Sequence, residues 1–135
     1  MVIGETGLEV APSPSPDGIR LALTRTGGDV LFVLDLASGT LLDVGPGHSS
    51  AWRPQGDEIA FVTSGEIWAV RPDGSNRRRV SQAGRGYSLG IDWSPDGAWL
   101  VAAGGGGLGL IQFATGKTIT LAFTAGWVAP SWKPR

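Results

Sequence analysis

The chain of 135 residues has no cysteine and one histidine, and 17% of its residues are charged, below the roughly one quarter usual in globular domains. The lack of cysteine excludes disulfides and thiolate metal sites, and His48 alone does not make a zinc site. A net charge of −1 gives no basic excess that would favour nucleic acid or an anionic membrane as a partner. No run approaches the roughly 20 apolar residues of a membrane-spanning helix. No secretory signal is visible, so the sequence does not assign a compartment.

Glycine and proline are plentiful, with 22 and 9 residues. They cluster between short apolar runs, which is typical of many short strands joined by tight turns. No segment keeps a 3.6-residue period of apolar residues over the length of a helix, so almost no helix is predicted.

One phrase recurs about every 40 residues, which indicates a repeat architecture. It reads Ser15-Pro16-Asp17-Gly18, then Trp52-Arg53-Pro54, then Trp93-Ser94-Pro95-Asp96-Gly97, and a fourth copy starts at Trp132. Proline presets φ at the first corner of a turn, aspartate bonds the backbone ahead, and glycine tolerates the left-handed region. The predicted structural repeat positions are Pro16, Pro54, Pro95, Asp17, Asp96, Gly18 and Gly97, together with Trp52, Trp93 and Trp132, which we expect to pack between neighbouring repeats.

Each repeat contains four short apolar runs separated by turns. In the first copy the runs after the phrase are Ile19–Thr24, Val30–Leu34 and Thr40–Val44, and His48–Arg53 leads into the next phrase. Four antiparallel strands repeated at this period describe a β-propeller blade. The predicted fold is therefore all-β, with three four-stranded blades at about 8–45, 46–84 and 85–124 and an extra strand at about 126–133.

These residues resemble the TolB-like propeller repeat, a WD-repeat-like module. The middle copy carries the resemblance best, with Ile59-Ala60-Phe61, Ile67-Trp68-Ala69-Val70 and Asp73-Gly74-Ser75-Asn76, whereas the first copy has Pro14 where the tryptophan belongs. The resemblance covers nearly the whole chain and implies a propeller, commonly of six or more blades and often periplasmic or secreted. It does not specify a function, because propellers host many unrelated tasks.

Three blades are too few to close a ring, and an open arc exposes an apolar blade face at each end. Segments 1–6 and 127–133 read as single strands of neighbouring blades. Two explanations follow. The chain either pairs with itself into a ring of three plus three blades, as a homodimer, or it belongs to a longer propeller.

Several motifs suggest chemistry, but their contexts favour structural roles. Gly86 to Gly90 matches the nucleophile-elbow pattern, yet no helix follows it and the histidine lies upstream. Gly104, Gly106 and Gly109 fit a dinucleotide pattern but separate two strands, as in a hairpin. Four aspartates lie one per turn, without the dense ligand spacing of a calcium loop, and they are Asp17, Asp57, Asp73 and Asp96. We predict no catalytic residue, no cofactor and no metal site.

The only basic cluster is Arg77-Arg78-Arg79, in the fourth strand of the middle blade. Charge on an edge strand commonly guards against unwanted pairing, and it also suits docking of an acidic partner. Arg77, Arg78, Arg79 and His48 are therefore the candidate partner-binding residues. The sequence favours a non-enzymatic propeller module that binds proteins. Two alternatives stay open: part of a longer propeller that gates or binds substrate beside a hydrolase domain, and a structural remnant without activity.

Overall fold

The chain folds into three antiparallel β-sheets of four strands each. The computed structural model describes residues 8–25, 29–81, 87–104 and 107–121. These ranges contain twelve strands and no helix, and each sheet takes four successive strands in chain order. The predicted all-β fold with three four-stranded blades is confirmed. The predicted strands at 1–6 and 127–133 lie outside the described residues.

The strands are numbered β1 to β12 along the chain, and β2 to β5 lie within two residues of the runs predicted for the first copy. The fourth strand of sheet 2 ends at Arg79, because the amides of Val80 and Ser81 both donate to the carbonyl of Ile67 and end the regular ladder. Sheet 1 contains β1 (Leu8–Pro14), β2 (Arg20–Arg25), β3 (Val30–Asp35) and β4 (Leu41–Pro46). Sheet 2 contains β5 (His48–Trp52), β6 (Ile59–Thr63), β7 (Glu66–Val70) and β8 (Arg78–Arg79). Sheet 3 contains β9 (Tyr87–Trp93), β10 (Trp99–Gly104), β11 (Gly107–Gln112) and β12 (Thr118–Leu121).

Sheet 2 lies between the other two sheets and buries both of its faces. The four residues from Ile59 to Val62 are all buried, and strand alternation directs Ile59 and Phe61 to sheet 1 and Ala60 and Val62 to sheet 3. We name the two apolar contacts seam 1–2 and seam 2–3. Seam 1–2 comprises Ala22, Leu31, Val33, Val44, Trp52, Ile59, Phe61 and Val70. Seam 2–3 comprises Ala60, Val62, Ile67, Trp93, Leu100, Ala102 and Ile111.

Sheets 1 and 3 each turn one face away from sheet 2, and both of these outward faces are apolar. On sheet 1, Leu23, Phe32 and Leu34 form a buried cluster apart from seam 1–2. On sheet 3, Val101 and Ala103 alternate with the seam residues of β10 and are also buried. Apolar side chains thus continue beyond the two seams.

Candidate interaction surfaces

One end of the three sheets carries all the repeated turns, and we call it the turn rim. The turns there follow the first and the third strand of each sheet, because successive strands run in opposite directions. The turn rim comprises residues 15–19, 36–40, 53–58, 71–77, 94–98 and 113–117.

The first proline turn is closed by side-chain hydrogen bonds. Ser15 Oγ donates to Asp17 Oδ1 at 2.6 Å, and the same oxygen accepts the Ile19 amide at 3.1 Å. These bonds hold the pKa of Asp17 below its usual value, and the bond from Ser15 has the largest effect. Gly18 has a φ of 77°, a left-handed conformation that glycine adopts without strain.

The third proline turn repeats this network, whereas Arg53 of the second both pairs with Asp57 of its own turn, at 2.9 Å, and reaches the next sheet. Ser94 Oγ donates to Asp96 Oδ1 at 2.6 Å, and the pKa of Asp96 is lowered for the same reason. The second turn has Arg53 in place of the serine. Its Nε donates to the Gly97 carbonyl at 3.0 Å, and Gln55 Nε2 donates to the Asp96 carbonyl at 2.6 Å. The second turn is thereby tied to the third across the turn rim.

The repeated tryptophans join neighbouring sheets by hydrogen bonds as well as by packing. Trp52 Nε1 donates to the Ser13 carbonyl at 2.7 Å, and Trp93 Nε1 donates to the Ala51 carbonyl at 2.9 Å. Both acceptors lie three residues before the turn proline of the preceding sheet. The repeat therefore specifies one inter-sheet bond, made twice in the described chain. Trp132 lies outside the described residues.

Arg77, the first residue of the basic cluster, crosses seam 1–2. Its Nη1 donates to the Val44 carbonyl at 2.9 Å and its Nη2 to the Pro46 carbonyl at 2.5 Å. The guanidinium also stacks over Phe61, with Cζ 4.6 Å from the ring centroid. Partial burial lowers the pKa of Arg77, and Asp43 opposes that shift. Arg77 therefore holds the outer strand of sheet 1 to sheet 2.

Arg78 makes the corresponding contact in seam 2–3. It forms a bidentate ion pair with Glu58, at 2.8 and 3.1 Å, and the Glu58 side chain is only 8% exposed. Its Cζ lies 5.2 Å from the Phe113 ring centroid, and the Cζ of Arg53 lies 5.0 Å from the same centroid. Phe113 also meets Trp93 edge to face, with centroids 4.8 Å apart. An ion pair and an aromatic ring thus fill this part of seam 2–3.

Arg79 is more exposed than these two arginines, whereas His48 is partly buried like them. The Arg79 side chain is 49% exposed and lies 3.8 Å from Glu66, a long ion pair. His48 lies in the innermost strand of sheet 2, where Nδ1 is 3.0 Å from Ser49 Oγ. The structure does not bring His48 together with the three arginines, because β5 and β8 are the two edges of sheet 2.

The remaining motifs lie in ordinary strands. Tyr87 to Gly90 belong to β9, and Gly104 pairs with Gly107 across the β10–β11 hairpin. Within the described part of the chain, no three histidine, cysteine or acidic residues come together as metal ligands. Over those same residues, no helix has the length and apolar character to cross a membrane.

Strand register makes certain positions equivalent in the three sheets. Arg20, Glu58 and Trp99 each lie four residues after a turn proline. The residues paired across the second, third and fourth strands form one equivalent row in each sheet. The rows are Ala22, Val33 and Leu42 in sheet 1, Ala60, Ala69 and Arg78 in sheet 2, and Val101, Leu110 and Ile119 in sheet 3. By the same register, Leu36, Pro72 and Phe113 occupy one position, in the turn after the third strand.

The mouth of each seam, where it opens onto the turn rim, is built from these equivalent positions. In seam 2–3, Glu58, Arg78 and Phe113 fill the mouth. In seam 1–2, the corresponding residues are Arg20, Leu42 and Pro72, and they line a cleft of about 260 Å³. The two seams are alike in their cores and differ at this end.

The same positions are exposed on the outward faces. Leu36 on sheet 1 is equivalent to Phe113 and is 51% exposed, and Ile119 on sheet 3 is equivalent to Arg78 and is 45% exposed. In seam 2–3 this pair of positions makes the contact between neighbouring sheets. Each outward face therefore presents one half of a seam contact.

Sequence reasoning missed Glu58, Phe113, Leu36 and Ile119 as contact residues. Glu58 reads as part of a polar turn, and its partner lies 20 residues further along the chain. Their equivalence is visible in the sequence only if the second and third copies are aligned strand by strand, which requires the register of the sheets.

Comparison with known proteins places these sheets in a fold and a family. No protein-family model matches the chain. A TolB homolog of Chlorobium luteolum is 35% identical over 98 residues, covering 67% of this chain and 22% of that protein. The structure of a putative TolB from Agrobacterium tumefaciens has a TM-score of 0.67 at 22% identity, covering 83% of this chain and 49% of that one. A nidogen/laminin complex has a TM-score of 0.65 at 17% identity, covering 82% of this chain and 46% of that one.

The three sheets are blades of a β-propeller. The chain belongs to the TolB-like β-propeller repeat family. The chain spans about a fifth of the length of the curated relative (22%) and about half of the length of the TolB structure (49%). Solved structures with this fold also include a synthase and a lyase, so the fold alone does not decide the activity.

Proposed function

We propose that this chain is a non-enzymatic β-propeller module for protein–protein interaction, and that two copies pair to complete a ring of three plus three blades. The observation that carries the proposal is the exposure of Leu36 and Ile119 at opposite ends of the arc. Exposed apolar side chains at positions that make sheet-to-sheet contacts elsewhere in the same molecule favour a missing blade on each face.

In such a ring, sheet 1 of one copy packs on sheet 3 of the other. Leu36 of one copy then faces Ile119 of the second, as Phe113 faces Arg78 in seam 2–3. The two contacts are identical by a twofold axis, so the assembly closes. Sheet 1 carries Pro14 at the repeat position of Trp52 and Trp93, so the new seams lack the indole hydrogen bond of the internal ones.

A charge swap at the paired positions tests this arrangement. Leu36→Glu and Ile119→Arg each place one charge in the new seam, and we expect each to give a monomer of 14.0 kDa instead of a species of twice that mass. The double variant places the glutamate opposite the arginine of the other copy, so we expect the pair to return. Light scattering during size-exclusion chromatography measures all three masses.

Thr120→Arg is the matched control, because Thr120 is exposed and alternates with Ile119 along β12, so its side chain lies on the opposite face. It should leave the mass unchanged. A wild-type chain that runs as a folded monomer at every concentration would contradict pairing. It would favour the alternative that these blades belong to a longer propeller beside a hydrolase domain, in keeping with the 22% coverage of the curated relative.

The basic cluster contributes to partner binding mainly through Arg79 in this proposal. Arg77 and Arg78 are engaged by carbonyls and by Glu58 inside the chain, whereas the Arg79 side chain is 49% exposed at the outer edge of sheet 2. His48 lies at the other edge, on the innermost strand, and suits a separate contact near the ring axis.

A further inference from the structure

The cleft in the mouth of seam 1–2 has apolar walls and one cation. Val33, Leu42 and Pro72 supply the apolar surface, and Leu42 is 38% exposed although its neighbours in the seam are buried. Arg20 and Asp35 face the cleft from the ends of β2 and β3. The volume, about 260 Å³, is below the roughly 300–1,000 Å³ of typical small-molecule pockets and suits a single large side chain.

The side chains that fill the mouth of seam 2–3 are absent from this cleft. At the equivalent positions, Phe113 stands in place of Pro72, and Glu58 is paired with Arg78. The filled mouth thus contains an aromatic ring and a carboxylate bound to an arginine. The open mouth has the smaller Pro72 in place of the ring, and its Arg20 lies across from Asp35 without a bidentate ion pair like that of Glu58 with Arg78.

Arg20 has hydrogen-bond donors left for a partner, although its charge also acts at longer range on its own chain and helps to lower the pKa of Asp17 and Asp35. Among the described residues its guanidinium has no hydrogen bond and no ion pair within 4.0 Å. Asp35, the nearest acid lining the cleft, uses Oδ1 to accept the amides of Ala37 and Ser38, at 2.9 and 3.1 Å. Asp35 is therefore held in its own turn, where its carboxylate also provides an acceptor for a peptide amide.

We infer that this cleft binds a segment of a partner protein in which an aromatic side chain is next to an acidic one. The ring fills the space that Phe113 fills in seam 2–3, and the carboxylate pairs with Arg20 as Glu58 pairs with Arg78. The inference rests on the proposed function of the chain as a protein-binding module, and it names the chemistry of the bound segment.

A protein segment fits the site better than a free small molecule. The cleft is open to solvent and is lined by Pro72, Ser38 and Thr40 of the turn rim, so it leaves room for an occupant that continues onto the surface. An apolar anchor in a pocket with a charge-assisted hydrogen bond beside it is a common form of peptide recognition.

The probe is the blocked peptide acetyl-Gly-Phe-Glu-Gly-amide, titrated to millimolar concentration into the ¹⁵N-labelled full chain. We expect amide shifts for Arg20, Leu42 and Thr40 and none for the equivalent Glu58 and Arg78. Peptides with Phe-Gln or Ala-Glu in the centre each lack one half of the recognition and should bind about tenfold more weakly. Free 3-phenylpropionate tests the small-molecule source, and binding as tight as that of the peptide would overturn the assignment to a protein segment.

Two variants separate recognition from folding. Arg20→Gln keeps the cleft and removes the charge, so we expect about tenfold weaker binding of the Phe-Glu peptide. The triple variant Arg20→Glu, Leu42→Arg and Pro72→Phe installs the residues of seam 2–3, so it should fill the cleft and abolish binding while the fold is retained. Lys117→Gln, which removes a cation from the turn rim of sheet 3, is the control and should bind like the wild type.

Unchanged binding to Arg20→Gln, or no shifts around the cleft in the wild type, would overturn the inference. The monomeric Leu36→Glu variant distinguishes it from the pairing proposal. Peptide binding by that monomer supports the cleft irrespective of the ring. A wild-type dimer that does not bind the peptide would contradict the inference about the cleft but not the pairing proposal.

Discussion

At the scale of residues, the polar side chains of the turn rim hold their own turn, the next sheet or both. Ser15 and Asp17 close the first turn, whereas Arg53 and Gln55 of the second turn bond to carbonyls of the third. The difference lies in the residue before the proline. Serine is short and bonds only within its turn, whereas arginine is long enough to bond Asp57 of its own turn and also to cross the seam.

The turn carboxylates should make stability sensitive to acid. The pKa values of Asp17 and Asp96 are lowered from an ordinary 3.8 by serine hydroxyls and backbone amides. The unfolded chain therefore binds protons at higher pH than the folded chain, so the stabilising contribution is complete above about pH 5 and is lost as pH falls through the folded pKa values. We expect the melting temperature of Asp17→Asn/Asp96→Asn, followed by circular dichroism, to fall less than that of the wild type between about pH 5 and pH 2.

Removing the serine hydroxyls, which lower the pKa of the two aspartates most, provides the control. Ser15→Ala/Ser94→Ala retains both carboxylates but loses the hydroxyl donors, so its acid dependence should lie between those of the wild type and the asparagine variant. Identical pH profiles for all three proteins would show that these turns do not couple protonation to folding.

At the scale of elements, equivalent turns differ in what lies against them. Gly39 and Gly116 occupy the same place in the turns after β3 and β11, with φ of 73° and 74°. A Cβ at Gly116 would lie 2.7 Å from the Val80 carbonyl oxygen of sheet 2, whereas a Cβ at Gly39 would meet nothing within 4 Å. One turn is wedged into a seam, and its equivalent lies on an outward face.

Alanine at these two glycines should therefore give unequal losses of stability. Gly39→Ala should cost about 1 kcal/mol, from left-handed strain alone. Gly116→Ala should cost about 1–3 kcal/mol more, because the backbone of sheet 2 or sheet 3 must shift. Urea denaturation in the Leu36→Glu background keeps pairing out of the comparison. Equal losses of stability would mean that seam 2–3 accommodates the added Cβ at Gly116 without a further free-energy cost.

At the scale of the whole molecule, the arc has two internal seams and two outward apolar faces. The middle sheet buries both faces, so its core is complete within one chain. On sheets 1 and 3 the outward-facing Leu23, Phe32, Leu34, Val101 and Ala103 are already buried, whereas Leu36 and Ile119 stay exposed unless something further packs on them. Stability in the proposed ring is consequently shared between folding and association.

The melting temperature should then rise with protein concentration. Over an approximately hundredfold range, we expect an increase for the wild type and a constant value for Leu36→Glu, because association stabilises the folded state by mass action. Differential scanning fluorimetry measures both. A constant melting temperature for the wild type would be incompatible with a ring made by pairing.

Much of the fold could be predicted because its signals are local. The recurrence of Pro16, Pro54 and Pro95 set the phase of the repeat, and the apolar runs of the first copy predicted β2 to β5 to within two residues of their observed ends. The contacts could not be predicted in this way. Arg77 reads as a solvated edge residue, but it bonds to Val44, which lies 33 residues earlier in the chain.

The sequence by itself determined the number of sheets and the residues at their repeated turns, since proline, aspartate and glycine act on the backbone within a few residues. Only the tertiary structure decided which seam mouth is filled and which is open. That outcome depends on three side chains from different strands and two sheets, Glu58, Arg78 and Phe113 in one seam and Arg20, Leu42 and Pro72 in the other. Their meeting is a property of strand register and sheet packing, which no local pattern encodes.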